Sequence, residues 1–189
     1  MPRFETGNPS TGEEVREAAR RLHMEIVQFL GSISTDTFFA PQGPSWSPAW
    51  HVRHLTKANF PVARALRLPK LVPRLLFGAA PELSRSFEKL REDYRARLAA
   101  GGQAGRFAPS DKPLSPDLAA WRQEIVAVYC RSADDWIAAS ERWSEREFDR
   151  VRLPHPLLGK LTAREMLFFT LYHNAHHLGI VARRLEGGT

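Results

Sequence analysis

The sequence predicts an all-α protein: a four-helix bundle with one extra short helix between helices two and three. Three observations lead to this prediction. Apolar residues recur every three or four positions along four long segments, which is the spacing of an amphipathic helix. Residues that start or stop helices bound each segment. The alternation of apolar and polar residues that marks strands is scarce.

The first helix is predicted to begin at Ser10 or Thr11, where a side-chain hydroxyl can accept hydrogen bonds from the first free amides. Its apolar stripe runs from Val15 to Leu30. Residues 32–45 hold two prolines and a glycine, so we expect a connection there.

The second long helix is predicted from Pro48 to Leu66 or Leu68. Ser47 caps it, and proline is tolerated at the first helical position. The extra short helix, strongly charged, is predicted over residues 82–100 between a proline and a glycine pair.

A loop rich in glycine, proline and serine follows at 101–116, long enough to suggest a lid or a segment that contacts a partner. The third long helix is predicted over 117–142, and 144–160 is a connection with turn-forming residues. Thr162 and Glu165 form a predicted capping box at the start of the last long helix.

The 189 residues fit one domain, predicted over 12–186, with residues 1–11 as a flexible N-terminal arm. No apolar run approaches the ~20 residues that span a bilayer, and the first residues lack the pattern of a secretory signal. Cys130 is the only cysteine, so a reducing compartment is expected. We therefore predict a cytoplasmic protein without membrane partners.

The net charge of +6 comes from arginines and lysines spread along the chain, and many of them have acidic neighbours. There is no dense basic tract and no aromatic-basic motif of a nucleic-acid module. Nucleic acid is therefore not an expected partner.

Five of the seven histidines fall in two clusters: His51 and His54 in the second long helix, and His173, His176 and His177 in the last. Residues four apart on a helix share a face, so His173 and His177 can point at one metal ion. Either His51 or His54 could add a third ligand, and three protein ligands would leave a position open. The alternative is a set of packed, hydrogen-bonded histidines without metal.

Two known helical metal motifs are absent. Asn174 follows His173 where the zinc-protease motif needs a glutamate. The Glu-x-x-His pairs of di-iron bundles are also missing.

Two segments resemble the DinB/YfiT-like superfamily. The superfamily's helix-two signature is similar to the segment Trp46-Ser47-Pro48-Ala49-Trp50-His51-Val52-Arg53-His54-Leu55. Its closing helix and the loop before it are similar to the stretch from His155 through His173-Asn174-Ala175-His176-His177. The resemblance implies a metal-binding bundle with ligands His54, His173 and His177. His51 and His176 would then line the pocket or support the ligands. We read His23 and His155 as surface or loop residues.

Members of that superfamily include S-transferases that use a low-molecular-weight thiol such as bacillithiol, mycothiol or glutathione. The resemblance thus implies one divalent ion of the Zn, Ni or Fe class, a thiol cosubstrate, a small-molecule ligand and a homodimer. The alternatives are a metal-dependent hydrolase, or a non-catalytic bundle that binds a metal or small ligand.

Overall fold

Four long helices form the body of the protein, for which a computed structural model describes residues 3–43, 46–109 and 115–187. The helices α3 (Pro48–Arg67) and α6 (Leu118–Ser140) pack on each other, and α3 also packs on α8 (Ala163–Gly187). The first long helix, α1 (Gly12–Ser32), packs on α6 and α8. The predicted all-α four-helix bundle is confirmed. The elements in chain order are α1 (Gly12–Ser32), α2 (Thr35–Phe39), α3 (Pro48–Arg67), α4 (Leu71–Phe77), α5 (Phe87–Ala99), a 3₁₀ helix (Gly105–Phe107), α6 (Leu118–Ser140), α7 (Glu145–Arg150), β1 (Arg152–His155), β2 (Gly159–Thr162) and α8 (Ala163–Gly187).

The long helices begin where their capping residues predict. At α1, Thr11 accepts from the Glu14 backbone N–H while the Glu14 carboxylate accepts from the Thr11 N–H. Thr162 and Glu165 make the same reciprocal pair before α8, at 3.1 and 3.0 Å. Side chains of Ser47 and Asp117 cap α3 and α6. Local hydrogen bonds thus fix these four helix starts.

The extra helix, α5, starts at Phe87 rather than Glu82. Ser86 caps it, and the preceding Arg85 bonds to Glu165 of α8. The Arg85 backbone N–H and guanidinium donate to that carboxylate at 2.9 and 2.8 Å. A local cap and a contact from a distant helix therefore meet at this boundary.

Three short helices and a hairpin lie where only connections were predicted. Each of α2, α4 and α7 is at most two turns long and is held by buried side chains such as Phe38 and Phe148. In the hairpin, Leu153 pairs with Leu161 and His155 with Gly159, whose φ of +76° suits the turn. The prediction that His155 is a surface or loop residue is wrong: it is 8% exposed and sits at the end of β1.

A buried polar network ties the helices of the bundle together at mid-height. The Asn174 side chain donates to Asn59 at 3.1 Å and accepts from the Tyr129 hydroxyl at 3.0 Å. Asn59 donates in turn to Ser132 at 3.2 Å. These groups come from α3, α6 and α8. Because buried polar groups need partners, the network fixes the rotation of α8 next to His173.

Residues before α1 pack on it in part. Phe4 is buried, with its ring edge on Phe29 at a centroid distance of 5.3 Å. Flexibility of the whole 1–11 arm stays a prediction. Within the described ranges, no helix has the length and apolar stretch needed to cross a bilayer.

Candidate metal centre

Three histidines converge between two helices of the bundle. His54 comes from α3, and His173 and His177 from successive turns of α8. One ring nitrogen of each lies within 4.8 Å of the others. The closest approach is 3.0 Å, between Nε2 of His54 and Nε2 of His173. The structure thus brings together the three residues that the sequence resemblance implied; their role as ligands stays a prediction.

The backbone of the loop after α5 orients the His54 ring. Nδ1 of His54 lies 2.9 Å from the carbonyl oxygen of Phe107. A carbonyl oxygen only accepts, so Nδ1 carries the hydrogen and Nε2 carries the lone pair that faces His173. This is the tautomer that a metal ligand needs, held by a carbonyl partner as is usual at metal sites.

His51 supports the cluster from the side. Its Nδ1 lies 2.8 Å from Nδ1 of His177, which leaves Nε2 of His177 outside this contact. Trp46 covers the same region, with ring centroids 6.3 Å from His177 and 5.2 Å from His54. His51 therefore contacts one member of the triad but lies outside the group of three close nitrogens.

Burial keeps these imidazoles neutral. Loss of hydration lowers the pKa of His173 and His177 well below 6.5, and the charges that the other histidines would carry lower it further. Burial also lowers the pKa of His51 to about 4 and lowers that of His54. Neutral imidazoles offer lone pairs, so the cluster is ready to bind a cation near neutral pH.

The donor set fits a late divalent ion. Two imidazole nitrogens bound to Zn²⁺ at ~2.05 Å lie about 2.9 Å apart at a right angle and about 3.3 Å apart at the tetrahedral angle. The 3.0 Å between His54 and His173 falls in this range. In the structure, the lone pair on Nε2 of His54 accepts a hydrogen bond from Nε2 of His173. Nδ1 of His173 is buried without a hydrogen-bond partner in the described part of the chain, so an ion on Nε2 would replace that hydrogen and leave Nδ1 protonated.

A cavity of about 310 Å³ opens beside the triad. Side chains from α3, α5, α8, the hairpin and residues 103–107 line it. The predicted lid loop thus contributes to the wall, although its residues 110–114 lie outside the described ranges. Tyr94 of α5 was missed at the sequence level because one tyrosine in a charged helix carries no motif. Its ring lies 6.1 Å from those of both His173 and His176.

The model of the DinB superfamily matches residues 18–181, which is most of the chain. The chain belongs to the DinB superfamily. This DinB protein is also similar to the crystal structure of TT2238, a four-helix bundle protein, at 19% identity and a TM-score of 0.54. That likeness covers 91% of this chain and 96% of the other, and it shows the fold alone. No curated protein matches the chain.

Proposed function

We propose that this DinB protein binds one divalent metal ion through His54, His173 and His177 and uses it to activate a low-molecular-weight thiol for S-transfer. The observation that carries the proposal is the convergence of three neutral imidazoles at one end of a cavity. Zn, Ni and Fe ions all suit such a donor set, and availability selects among them.

The ion, when bound, would lower the pKa of a coordinated thiol so that the thiolate forms near neutral pH. The chain's own groups shape the rest of the site. The cavity walls hold an electrophile next to the sulfur and keep bulk water away. Exposed Arg106 at the cavity edge is placed to attract a carboxylate of the thiol.

Metal analysis tests the first half of the proposal. After divalent-metal loading and desalting, we expect about one ion per chain in wild type and less than about 0.2 in His173→Ala or His177→Ala. His23→Gln is the control, because His23 lies on α1 against Tyr129 and outside the cavity lining. Equal metal content in all four proteins would place the ion elsewhere.

Thiol consumption tests the second half. Metal-loaded wild type is assayed with bacillithiol, mycothiol or glutathione against a panel of electrophiles, and His23→Gln and His177→Ala are taken through the same metal treatment and assay. We expect turnover in the first two and none in His177→Ala. A protein that holds one ion and turns over no thiol would be a non-catalytic metal- or ligand-binding bundle.

A hydrolase is less well supported by the cavity. Among the described residues that line it, none is an aspartate or glutamate. Hydrolysis by this site would therefore lack a carboxylate to take the proton from water.

The homodimer and the cytoplasmic location stay predictions. Leucines of α4 and the segment after it support self-association, because they are exposed: Leu71 (63%), Leu75 (76%), Leu76 (66%) and Leu83 (81%). Sedimentation velocity of wild type and Leu75→Ser tests the dimer, and a monomeric wild type would refute it.

A further inference from the structure

The cavity runs along two helices away from the triad. On α3 its lining residues recur at helical spacing from His54 to Ala65, eleven positions or about 16 Å along the axis. On α8 they run in the opposite direction along the chain, from His177 back to Met166. The space beside the triad is therefore elongated, with the histidines at one end.

Its walls are chiefly apolar. The polar lining residues outside the histidines and Tyr94 are few: Gln103 and Arg106, both exposed on the loop, and Trp46 near the triad. Carbon surfaces make up the remainder, namely Ala58, Pro61, Val62, Ala65, Leu98, Ala104, Phe107, Leu153, Pro154, Pro156, Leu157, Met166 and Phe169. A ligand inside this space exchanges water for apolar contacts, which favours an apolar body.

The cavity's size sets the scale of that body. Its 310 Å³ lies at the lower end of the roughly 300–1,000 Å³ of small-molecule pockets. A single aromatic ring with a short substituent fits this space.

The Tyr94 hydroxyl has no hydrogen-bond partner among the described residues. The chain has three tyrosines, and the other two are paired: Tyr129 donates to Asn174, and the Tyr172 hydroxyl accepts from Arg95 at 2.8 Å. Tyr94 is 4% exposed and lines the cavity, yet its hydroxyl has no hydrogen bond to any residue in the described ranges. The hydroxyl is not one of the fully enclosed side-chain atoms that lack a partner, so an atom of a ligand in the cavity can reach it and accept its hydrogen bond.

We infer that the cavity takes a compact, mainly apolar electrophile that carries an oxygen acceptor, and that Tyr94 donates a hydrogen bond to this oxygen. The inference names the second substrate of the proposed S-transfer and rests on that function for its catalytic meaning. The binding it describes is measurable without turnover.

Acetophenone is the probe, since it joins one aromatic ring to one carbonyl acceptor. The comparison ligand is α-methylstyrene, which has nearly the same shape and no oxygen. Both are titrated into wild type, Tyr94→Phe and Tyr172→Phe by protein-observed NMR, once with metal and once after chelation. Tyr172→Phe is the matched control, because it removes a hydroxyl that is already paired with Arg95.

We expect Tyr94→Phe to weaken acetophenone binding about three- to tenfold, the effect of one neutral hydrogen bond. The Tyr94→Phe substitution leaves the affinity for α-methylstyrene unchanged, and the Tyr172→Phe variant binds both ligands as wild type does. A wild type that binds neither ligand, or a Tyr94→Phe affinity equal to that of wild type, would overturn the inference.

A second variant tests the location without touching the hydroxyl. Leu98 lines the cavity one helical turn after Tyr94 on α5, so Leu98→Trp should lower the affinity for acetophenone at least about tenfold by filling the space beside the Tyr94 ring. Metal content stays as in wild type, which separates this result from a failed metal site. Unchanged acetophenone affinity would place the ligand outside the cavity and refute the inference. One outcome is that the protein binds no ion while Tyr94→Phe still binds acetophenone more weakly than wild type in chelated protein. That result would refute the proposed S-transfer and leave intact the inference that the cavity takes a compact apolar ligand with an oxygen acceptor.

Discussion

Replacing His155 with asparagine tests how strongly the hairpin depends on a neutral imidazole. Nδ1 of His155 accepts hydrogen bonds from the backbone N–H groups of Leu157 and Leu158 at 3.2 and 3.0 Å. Protonation of Nδ1 would abolish both bonds. Asparagine places an amide oxygen near the same position, so His155→Asn keeps an acceptor for the turn and removes the titration.

The magnitude follows from the pKa of His155, which burial lowers from 6.5 to about 4. Below pH 6.5 the unfolded chain takes up a proton at this ring, while the folded protein keeps it neutral down to about pH 4. The unfolded state therefore binds more protons, and the free energy of unfolding falls as the pH falls through this window. A difference of about 2.5 pKa units at 1.36 kcal/mol each amounts to about 3 kcal/mol.

Urea unfolding followed by circular dichroism measures this effect, at pH values from about 7.5 down to about 4. Both proteins are chelated first, so that metal release does not contribute. We expect the stability of His155→Asn relative to wild type to rise by about 3 kcal/mol between pH 6.5 and 4. Parallel curves for the two proteins would show that the folded protein does not resist protonation of His155.

Three further predictions concern the support of the site and the bundle. His51→Ala removes the contact to His177, so metal affinity measured by chelator competition should fall about 10–100-fold. About one ion should still bind at saturation, and a complete loss of metal binding would make His51 a ligand. Asn174→Ala breaks the buried network and should lower the free energy of unfolding by about 1–3 kcal/mol in urea. Gly12→Ala places a Cβ 2.5 Å from a ring carbon of Phe148, so thermal unfolding should show a loss of about 1–3 kcal/mol; a stability equal to wild type would mean that the ring moves freely.

The long helices were predictable because their signals are local. A capping hydroxyl, a glutamate three residues on and an apolar stripe all act within one helix, as at Thr11 and Thr162. The short helices and the hairpin depend instead on contacts across the chain. The start of α5 combines a local cap, Ser86, with a contact of the preceding Arg85 to Glu165, eighty positions away.

The residues of the candidate site also differ in whether a local pattern or the packing of distant elements determines their position. Spacing places His173 and His177 on one face of α8, but His51 and His54 lie three residues apart on α3 and both are buried. Only the packing of α3 against α8 determines which ring faces His173. His155 was misread because its buried surroundings come from another element: Phe169 of α8 lies 4.2 Å from its ring.

The bond between Nδ1 of His54 and the Phe107 carbonyl has a thermodynamic consequence for access to the cavity. Residues 103–107, which form part of the cavity wall, also hold the orientation of the His54 ring, so the ordered conformation of this loop and the proposed ion would stabilise each other. By linkage, whatever factor the bound ion adds to loop closure, the closed loop adds to ion affinity.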